Sequence, residues 1–171
     1  SADIDSTSEL WFSVMANKIQ NNFSAAEGGF VIGNQLVNNP RVYLDNGTSG
    51  LAGFGFAPTT AGNDWKAYAW DGASQTAGDA AITVATNGSV TKLLIGKIVW
   101  NAGAGGTDQY SLYEYVLNVG AIDGGSLSQI GSTIEIDVDE TLLDTLSLTR
   151  QVNTAYDEIR IGNSLEIVTP Y

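Results

Sequence analysis

The chain has 171 residues, of which 43% are apolar and only 15% are charged, a composition that supports a sizeable core and excludes a disordered acidic tail. Its formal net charge of −12 disfavours nucleic acid as a partner, because such a surface repels phosphate backbones. The chain has no Cys and no His, which excludes a disulfide framework, thiolate chemistry and Ser-His-Asp or Cys-His catalysis.

Short segments with alternating apolar residues recur along the chain. In the first segment Leu10, Phe12 and Val14 share one face, and further along Tyr68 and Trp70 share another. No apolar stripe of helical length is present, and no run approaches the ~18 apolar residues of a membrane-spanning helix. A short helical turn is predicted at residues 142–143. The predicted strands cover residues 10–16, 29–32, 41–44, 51–56, 65–70, 82–85, 90–100, 110–119, 133–138, 145–149 and 158–161.

Asn-Gly and Asp-Gly pairs separate several of these segments and predict tight turns, because these residue types tolerate positive φ. About a dozen short strands with such turns between them predict an all-β sandwich or barrel. No linker and no internal repeat interrupts the pattern, so we expect one domain over residues 1–171. The turn pairs are Asn46-Gly47, Asp71-Gly72, Asn87-Gly88 and Asp123-Gly124.

Six short motifs follow one another in a characteristic order. They are Glu9-Leu10-Trp11-Phe12-Ser13-Val14, Gly29-Phe30-Val31-Ile32-Gly33, Leu93-Leu94-Ile95-Gly96-Lys97-Ile98-Val99-Trp100, Gln109-Tyr110-Ser111-Leu112-Tyr113, Asp144-Thr145-Leu146-Ser147-Leu148 and Asp157-Glu158-Ile159-Arg160-Ile161-Gly162. This order resembles a group of secreted bacterial proteins with a concanavalin A-like, laminin-G-like jelly roll, over almost the whole chain. The resemblance implies an all-β, two-sheet antiparallel jelly-roll sandwich and an extracellular location.

The start of the chain departs from the pattern of that group. Its members carry further strands ahead of the Trp-Phe-Ser strand, whereas only about ten residues precede it here. We therefore expect either a trimmed domain or an open edge at the N-terminal strand. An open edge is a template for pairing with another chain, which predicts a homo-oligomer or a filament.

The acidic stretch at residues 135–140 is the candidate catalytic motif. It resembles the Glu-x-Asp-x-x-Glu strand of laminarinase-type glycoside hydrolases, which implies that Glu135 and Glu140 act as nucleophile and general acid while Asp137 holds the nucleophile. In those enzymes many strands follow the motif, but here it ends 31 residues from the C-terminus. The favoured interpretation is therefore a strand whose acids face solvent. Its core-facing residues are Ile134, Ile136 and Val138.

Asp157 in the last predicted strand is the candidate metal ligand. In related jelly rolls the Asp of the closing strand binds a structural calcium ion together with oxygens from the N-terminal region. Calcium takes six to eight oxygen ligands, and Asp3, Asp5 and Glu9 lie at the end of the chain that would supply them. The alternative is that Asp157 forms a salt bridge or caps a turn.

Two sets of aromatic residues are candidates for stacking on sugar rings. Trp65, Tyr68 and Trp70 lie in a polar neighbourhood, where Asp71 would bind hydroxyl groups, with Asp64 and Asn63 nearby. The alternative, that such residues fill a sandwich core, is favoured. The second set is Tyr113 and Tyr115, which share the strand face opposite to that of Tyr110, and Tyr110 is expected to pack inward.

These observations predict a non-catalytic, extracellular, lectin-like domain that binds a glycan. The alternative is a structural subunit of a filament or a cell-surface layer, indicated by the low charge density and the expected open edge. A retaining glycoside hydrolase that uses Glu135 and Glu140 is a minor alternative. Structural calcium is the predicted cofactor.

Overall fold

The computed structural model describes residues 8–18, 28–35, 50–58, 64–73, 75–77, 82–83, 90–116, 125–150 and 154–169. Within these residues the chain forms strands, one 3-10 turn at Glu140–Leu142 and one α-helical turn, α1, at Leu165–Val168. The strands are β1 (Glu9–Lys18), β2 (Gly28–Gly33), β3 (Ala52–Pro58), β4 (Asp64–Asp71), β5 (Gln75–Ala77), β6 (Ile82–Thr83), β7 (Val90–Val99), β8 (Asp108–Val116), β9 (Ser126–Ile136), β10 (Thr145–Arg150) and β11 (Thr154–Gly162).

The strands form two sheets, named here sheet A and sheet B. Sheet A has the order β11-β1-β7-β8-β9, and sheet B has the order β10-β2-β3-β4-β5, with β6 also pairing with β4. Neighbouring strands in both sheets are antiparallel. The predicted all-β sandwich of two antiparallel sheets is therefore confirmed.

The apolar faces of the two sheets pack against each other and form the core. Phe12 of sheet A contacts Phe30 of sheet B, with ring centroids 4.7 Å apart, and both side chains are fully buried. Tyr110 packs inward, as predicted, and its buried hydroxyl donates a hydrogen bond of 2.9 Å to the carbonyl oxygen of Gly55 in the opposite sheet. Burying one large apolar side chain contributes about 1.5–3 kcal/mol, so such residues dominate the stability of the sandwich.

Gly96 in β7 makes room for the ring of Phe12 on the neighbouring strand. A Cβ atom added at Gly96 would lie 2.1 Å from Phe12 Cζ and 2.2 Å from Cε1, well inside van der Waals contact. The rings of Phe30 and Tyr110 lie 4.7 Å and 6.1 Å from the Phe12 ring, centroid to centroid, and restrict its movement away from a new methyl group. The close approach of β7 to this ring therefore requires a residue without a side chain.

The chain after β11 folds back onto the outer face of sheet A as α1. The hydroxyl of Ser13 donates a hydrogen bond of 2.6 Å to the carbonyl oxygen of Val168, and Arg160 Nη1 donates one of 2.8 Å to that of Thr169. The side chain of Val168 is fully buried in a cluster that includes Ile95. α1 thus packs on the outer face of sheet A near β1. The exposed side chains of β9 lie toward the opposite edge of the same sheet.

Most predicted strands overlap observed ones. The alternation in β1 is confirmed, since its predicted inward residues are all buried, and the short helical turn near residue 142 is confirmed as the 3-10 turn. β5, the first half of β9 and α1 were not predicted. Gly72, with a φ of +90°, confirms the Asp71-Gly72 turn. The segment 41–44 and the pairs Asn46-Gly47, Asn87-Gly88 and Asp123-Gly124 lie outside the described residues.

The predicted open edge at the N-terminal strand is wrong. β1 lies inside sheet A, where it pairs with β7 along one side and with β11 along the other. The last strand of the chain therefore covers the side of β1 that we expected to be exposed. Among the described strands, β11 and β9 are the edges of sheet A, and β10 is an edge of sheet B.

Candidate functional site

The predicted aromatic face of β4 exists on the outer side of sheet B, but it is largely buried. Tyr68 and Trp70 stack with ring centroids 6.1 Å apart and an interplanar angle of 24°. Trp70 is only 3% exposed and packs with Val31 and Leu51. Burial also raises the pKa of the Tyr68 hydroxyl. This pair therefore offers little ring surface to a ligand.

Trp65 and Asp71 do not join this pair in one platform. Trp65 is 1% exposed and points into the core between the sheets, where its ring meets that of Phe56 edge-on at 5.3 Å. The prediction of Trp65 as a stacking residue is corrected for this reason. Asp71 is exposed, and its Oδ1 accepts a 2.8 Å hydrogen bond from the backbone N–H of Ala73, which closes the turn after β4.

The outer face of sheet A along β8 and β9 is more open and mixes aromatic and polar groups. Tyr113 and Tyr115 share this face and are half-buried, packing at the border of the cluster around Ile95. On β9, Gln129 stands directly opposite Tyr113, and Leu127 stands opposite Tyr115. We call this face the β8–β9 surface. It consists of Gln109, Ser111, Tyr113, Tyr115, Leu127, Gln129, Thr133 and Glu135.

Hydrogen bonds order the polar side chains of the β8–β9 surface. Ser111 Oγ and Thr133 Oγ1 lie 2.8 Å apart, and Gln129 Nε2 donates to Thr133 Oγ1 at 3.1 Å. Gln109 Nε2 donates to Glu135 Oε1 at 3.2 Å. These bonds hold the exposed side chains of Gln129, Thr133 and Glu135 in a fixed row beside the tyrosines, whereas Ser111 itself is buried. Such a row offers both donors and acceptors to a ligand rich in hydroxyl groups.

The tyrosine side of the surface is also fixed in place. The hydroxyl oxygen of Tyr115 accepts a hydrogen bond of 2.5 Å from the backbone N–H of Gly125, which precedes β9. A Cβ atom at Gly125 would lie 2.7 Å from the Tyr115 ring, so glycine is needed for this contact. The ring orientation is thereby set before any ligand arrives.

The acidic stretch at residues 135–140 agrees with the favoured interpretation, a strand whose acids face solvent. Ile134, Ile136 and Val138 are buried, whereas Glu135, Asp137 and Asp139 are exposed. The chain leaves β9 after Ile136, and Asp139 caps the 3-10 turn that contains Glu140, with its Oδ1 accepting from the N–H of Thr141 at 3.1 Å. The predicted catalytic motif consists of Glu135, Asp137 and Glu140. It is therefore divided between the end of a strand and a separate turn.

A buried carboxyl group lies next to this stretch. Asp108, at the start of β8, is 2% exposed and accepts hydrogen bonds of 3.0 Å from the backbone N–H groups of Asn101 and Val138. Burial raises its pKa; these two bonds oppose the rise, and the nearby charges of Glu140 and Asp137 add to it. Asp108 thus joins the hairpin loop before β8 to the segment after β9, which is a structural role.

The proposed calcium ligands are not assembled by the described residues. Asp157 is exposed on β11, and its Oδ1 accepts a 2.8 Å hydrogen bond from the N–H of Glu158. Asp3 and Asp5 lie outside the described residues, and Glu9 is held by Lys97. In the described part of the chain, no group of three or more acidic side chains is placed to hold a metal ion. Calcium binding stays a prediction.

One small cavity lies on the other half of sheet A, beneath α1. Its volume of about 10 Å³ is the space of a single water molecule, so it cannot receive a sugar ring. The cavity is lined by Ser13, Met15, Leu93, Glu158, Arg160 and Val168.

None of the described helices is long and apolar enough to cross a membrane.

The polar residues of the β8–β9 surface were not predicted as site residues. Gln109, Ser111 and Tyr113 alternate with buried residues in β8, so their shared face was readable from the sequence. Their partners on β9 were not readable, because the pairing shifts register between Tyr110 and Leu112. The shift places Gln129 opposite Tyr113, whereas the contact of Ser111 with Thr133 continues the register that pairs Gln109 with Glu135.

Comparisons with known proteins show no family for this chain. No protein-family model matches the sequence, and a search of curated proteins finds no match. Among solved structures, the chain is similar to a protein described as "Bifunctional GH43-CE" from Bacteroides eggerthii, with 7% sequence identity and a TM-score of 0.45. The similarity covers 91% of this chain and 19% of that one, so this chain spans about a fifth of that protein's length.

Proposed function

We propose that this chain is a non-catalytic glycan-binding domain of the cell exterior, and that the β8–β9 surface is its binding site. The observation that carries the proposal is the placement of Tyr113 and Tyr115 beside a hydrogen-bonded row of hydroxyl, amide and carboxylate groups. The sequence resemblance to concanavalin A-like jelly rolls agrees with this function.

The chemistry of the surface suits a sugar. Tyrosine rings provide apolar area for the C–H groups of a pyranose, and neighbouring polar groups bind its hydroxyls. The polar side chains on β8 and β9 are already ordered by their own hydrogen bonds, so ligand binding costs little further side-chain entropy. Glu135 accepts hydrogen bonds and is exposed, so it is available to a donor hydroxyl.

The shape of the surface suits a chain of sugars rather than one sugar. Tyr113 and Tyr115 are two positions apart on an extended strand, a distance of about 7 Å. The row from Gln109 to Tyr115 extends over about 20 Å. It is an open face and not an enclosed pocket. We therefore expect affinity to increase from monosaccharide to oligosaccharide.

A binding assay with immobilised polysaccharides tests the proposal. The panel contains β-glucan, xylan and mannan, and the readout is retention of the wild-type domain against variants. Tyr113→Ala is expected to weaken binding about tenfold, equivalent to about 1.4 kcal/mol, because it removes the ring and leaves the polar row.

Tyr68→Ala is the matched control, since Tyr68 is also half-buried on an outer sheet face but belongs to sheet B. It is expected to lower stability and leave retention unchanged once the folded fraction is accounted for. Equal loss of binding in both variants, or no retention of the wild type on any polysaccharide, contradicts the proposed site and function.

A second candidate function is assembly with further copies of the chain, and one observation favours it. Among the described strands, β10 is an edge of sheet B, and its inward-facing Leu146 and Leu148 remain 42% and 41% exposed. Exposed apolar edges promote strand pairing between molecules. Light scattering coupled to size-exclusion chromatography, over a range of concentrations, tests this. Assembly predicts larger particles that Leu148→Lys disrupts, and a monomer at all concentrations contradicts it.

A further inference from the structure

The described basic side chains of sheet A are each paired with a carboxylate. Lys97 Nζ lies 2.9 Å from Glu9 Oε1, and Arg160 Nη2 lies 3.1 Å from Glu158 Oε2. Lys92 forms an ion pair with Glu114 in the same sheet. Little positive charge therefore remains on this sheet to attract an anion.

Among the described basic residues, Lys97 stands beside the β8–β9 surface, opposite Ser111 in the strand register. It is drawn the other way, toward β1, where its Nζ lies 5.0 Å from the centre of the Trp11 ring. The carboxylate of Glu9 accepts hydrogen bonds from both Lys97 and the Trp11 indole, which lowers the pKa of Glu9 and keeps it charged. The charge of Lys97 is thus satisfied before a ligand binds.

Glu135 is the charged residue of the β8–β9 surface itself. It is exposed, and its partners are neutral: the amide of Gln109 and, at 3.4 Å, the backbone N–H of Ala104. Among the described residues no basic side chain pairs with it. The chain as a whole has a net charge of −12. The electrostatic potential near Glu135 and that of the whole protein are therefore both negative.

We propose that the β8–β9 surface selects uncharged polysaccharide and rejects acidic polysaccharide, with Glu135 as the main rejecting group. This selectivity rests on the proposed function. A ligand carboxylate or sulfate at this surface would meet a like charge that no basic side chain among the described residues balances, whereas a hydroxyl donates to the same carboxylate. Like-charge juxtaposition is how binding surfaces discriminate against a partner that otherwise fits.

The test compares one polymer with and without charge. If β-glucan or mannan binds in the panel, it is oxidised at its primary hydroxyls to carboxylates, which keeps the backbone and the linkage. If xylan binds, which has no primary hydroxyl, it is compared with a xylan that carries glucuronic acid branches. The wild type is expected to bind the oxidised polymer at least about tenfold more weakly at low salt. The difference should narrow as ionic strength rises, because salt screens exposed charges.

Two variants assign the effect to a residue. Glu135→Gln should weaken binding of the neutral polymer by a few-fold, because an amide oxygen is a weaker acceptor than a carboxylate, and should remove most of the difference in affinity between the neutral and the oxidised polymer. Asp144→Asn, which removes the same charge from an exposed position before β10, should change neither. Equal binding of both polymers by the wild type, or equal recovery in both variants, overturns the selectivity. Absence of binding to any neutral polymer overturns the proposed function instead.

Discussion

The contact between Gly96 and Phe12 allows a sharp test of how sheet A packs. In Gly96→Ala the new Cβ atom would lie 2.1 Å from the Phe12 ring, which already contacts Phe30 and Tyr110. Overpacking of this kind costs about 1–3 kcal/mol. Replacing Gly by Ala also restricts the unfolded chain, which offsets about 0.4–1 kcal/mol. The expected net loss is therefore about 1–2 kcal/mol.

Urea denaturation followed by tryptophan fluorescence measures this loss, and a thermal melt should show a Tm lowered by roughly 2–8 °C. Phe12→Leu provides the second arm, because a smaller side chain leaves room for the new methyl group. The double variant should be more stable than the sum of the two single losses predicts, by about 0.5–3 kcal/mol. A Gly96→Ala protein as stable as the wild type, or strictly additive losses, refutes the packing described for β1 and β7.

Three further predictions concern hydrogen bonds that join separate parts of the fold. Tyr110→Phe removes the hydroxyl that bonds across the sheets and should lower the free energy of unfolding by about 1–2 kcal/mol in urea denaturation. Asp108→Asn should reveal a pH dependence. In the unfolded chain the pKa of an Asp carboxyl is about 3.9. Burial raises the pKa of Asp108 in the folded protein, so the folded state binds the proton of this carboxyl more tightly than the unfolded chain does. The stability of the wild type relative to this variant should therefore increase as the pH falls from neutrality to about 4. Ser13→Ala removes the donor to Val168 and should speed hydrogen exchange of the backbone amides in α1.

Each of these has a contrary outcome. Tyr113→Phe, on the outer face, is the control for Tyr110→Phe and should stay within about 0.5 kcal/mol of the wild type. Equal losses in the two would show that the buried hydroxyl has no special role. A wild-type advantage over Asp108→Asn that shrinks toward acid would reverse the expected sign. Unchanged exchange in α1 after Ser13→Ala would mean that Val168 packing alone holds the turn.

The sequence was sufficient for the sandwich and for much of the strand pattern. Alternation in β1 identified Phe12 as inward-facing, and the same rule assigned Tyr68 and Trp70 to one face. The same alternation places Trp65 on the opposite face from Tyr68, and the structure has Trp65 in the core. The polar first half of β9 has no apolar alternation, and the four residues of α1 are too few to show a helical period.

The site was less accessible to sequence reasoning. Burial of Trp70 on an outer face depends on its packing with Val31 of β2 and with Leu51, the residue before β3. The position of Gln129 opposite Tyr113 depends on a register shift that pairing in three dimensions decides. Local patterns indicate which residues share a strand face, and they do not indicate what covers that face.

The most direct test of the glycan-binding account is a nuclear magnetic resonance titration of the isotope-labelled domain with a neutral oligosaccharide from the polysaccharide that retains it. The account predicts that amide signals of residues 109–115 and 127–135 shift in a saturable manner, while those of β3 and β4 stay in place. Shifts centred on Tyr68 and Trp70, or no saturable shift at any concentration, would contradict binding at the β8–β9 surface.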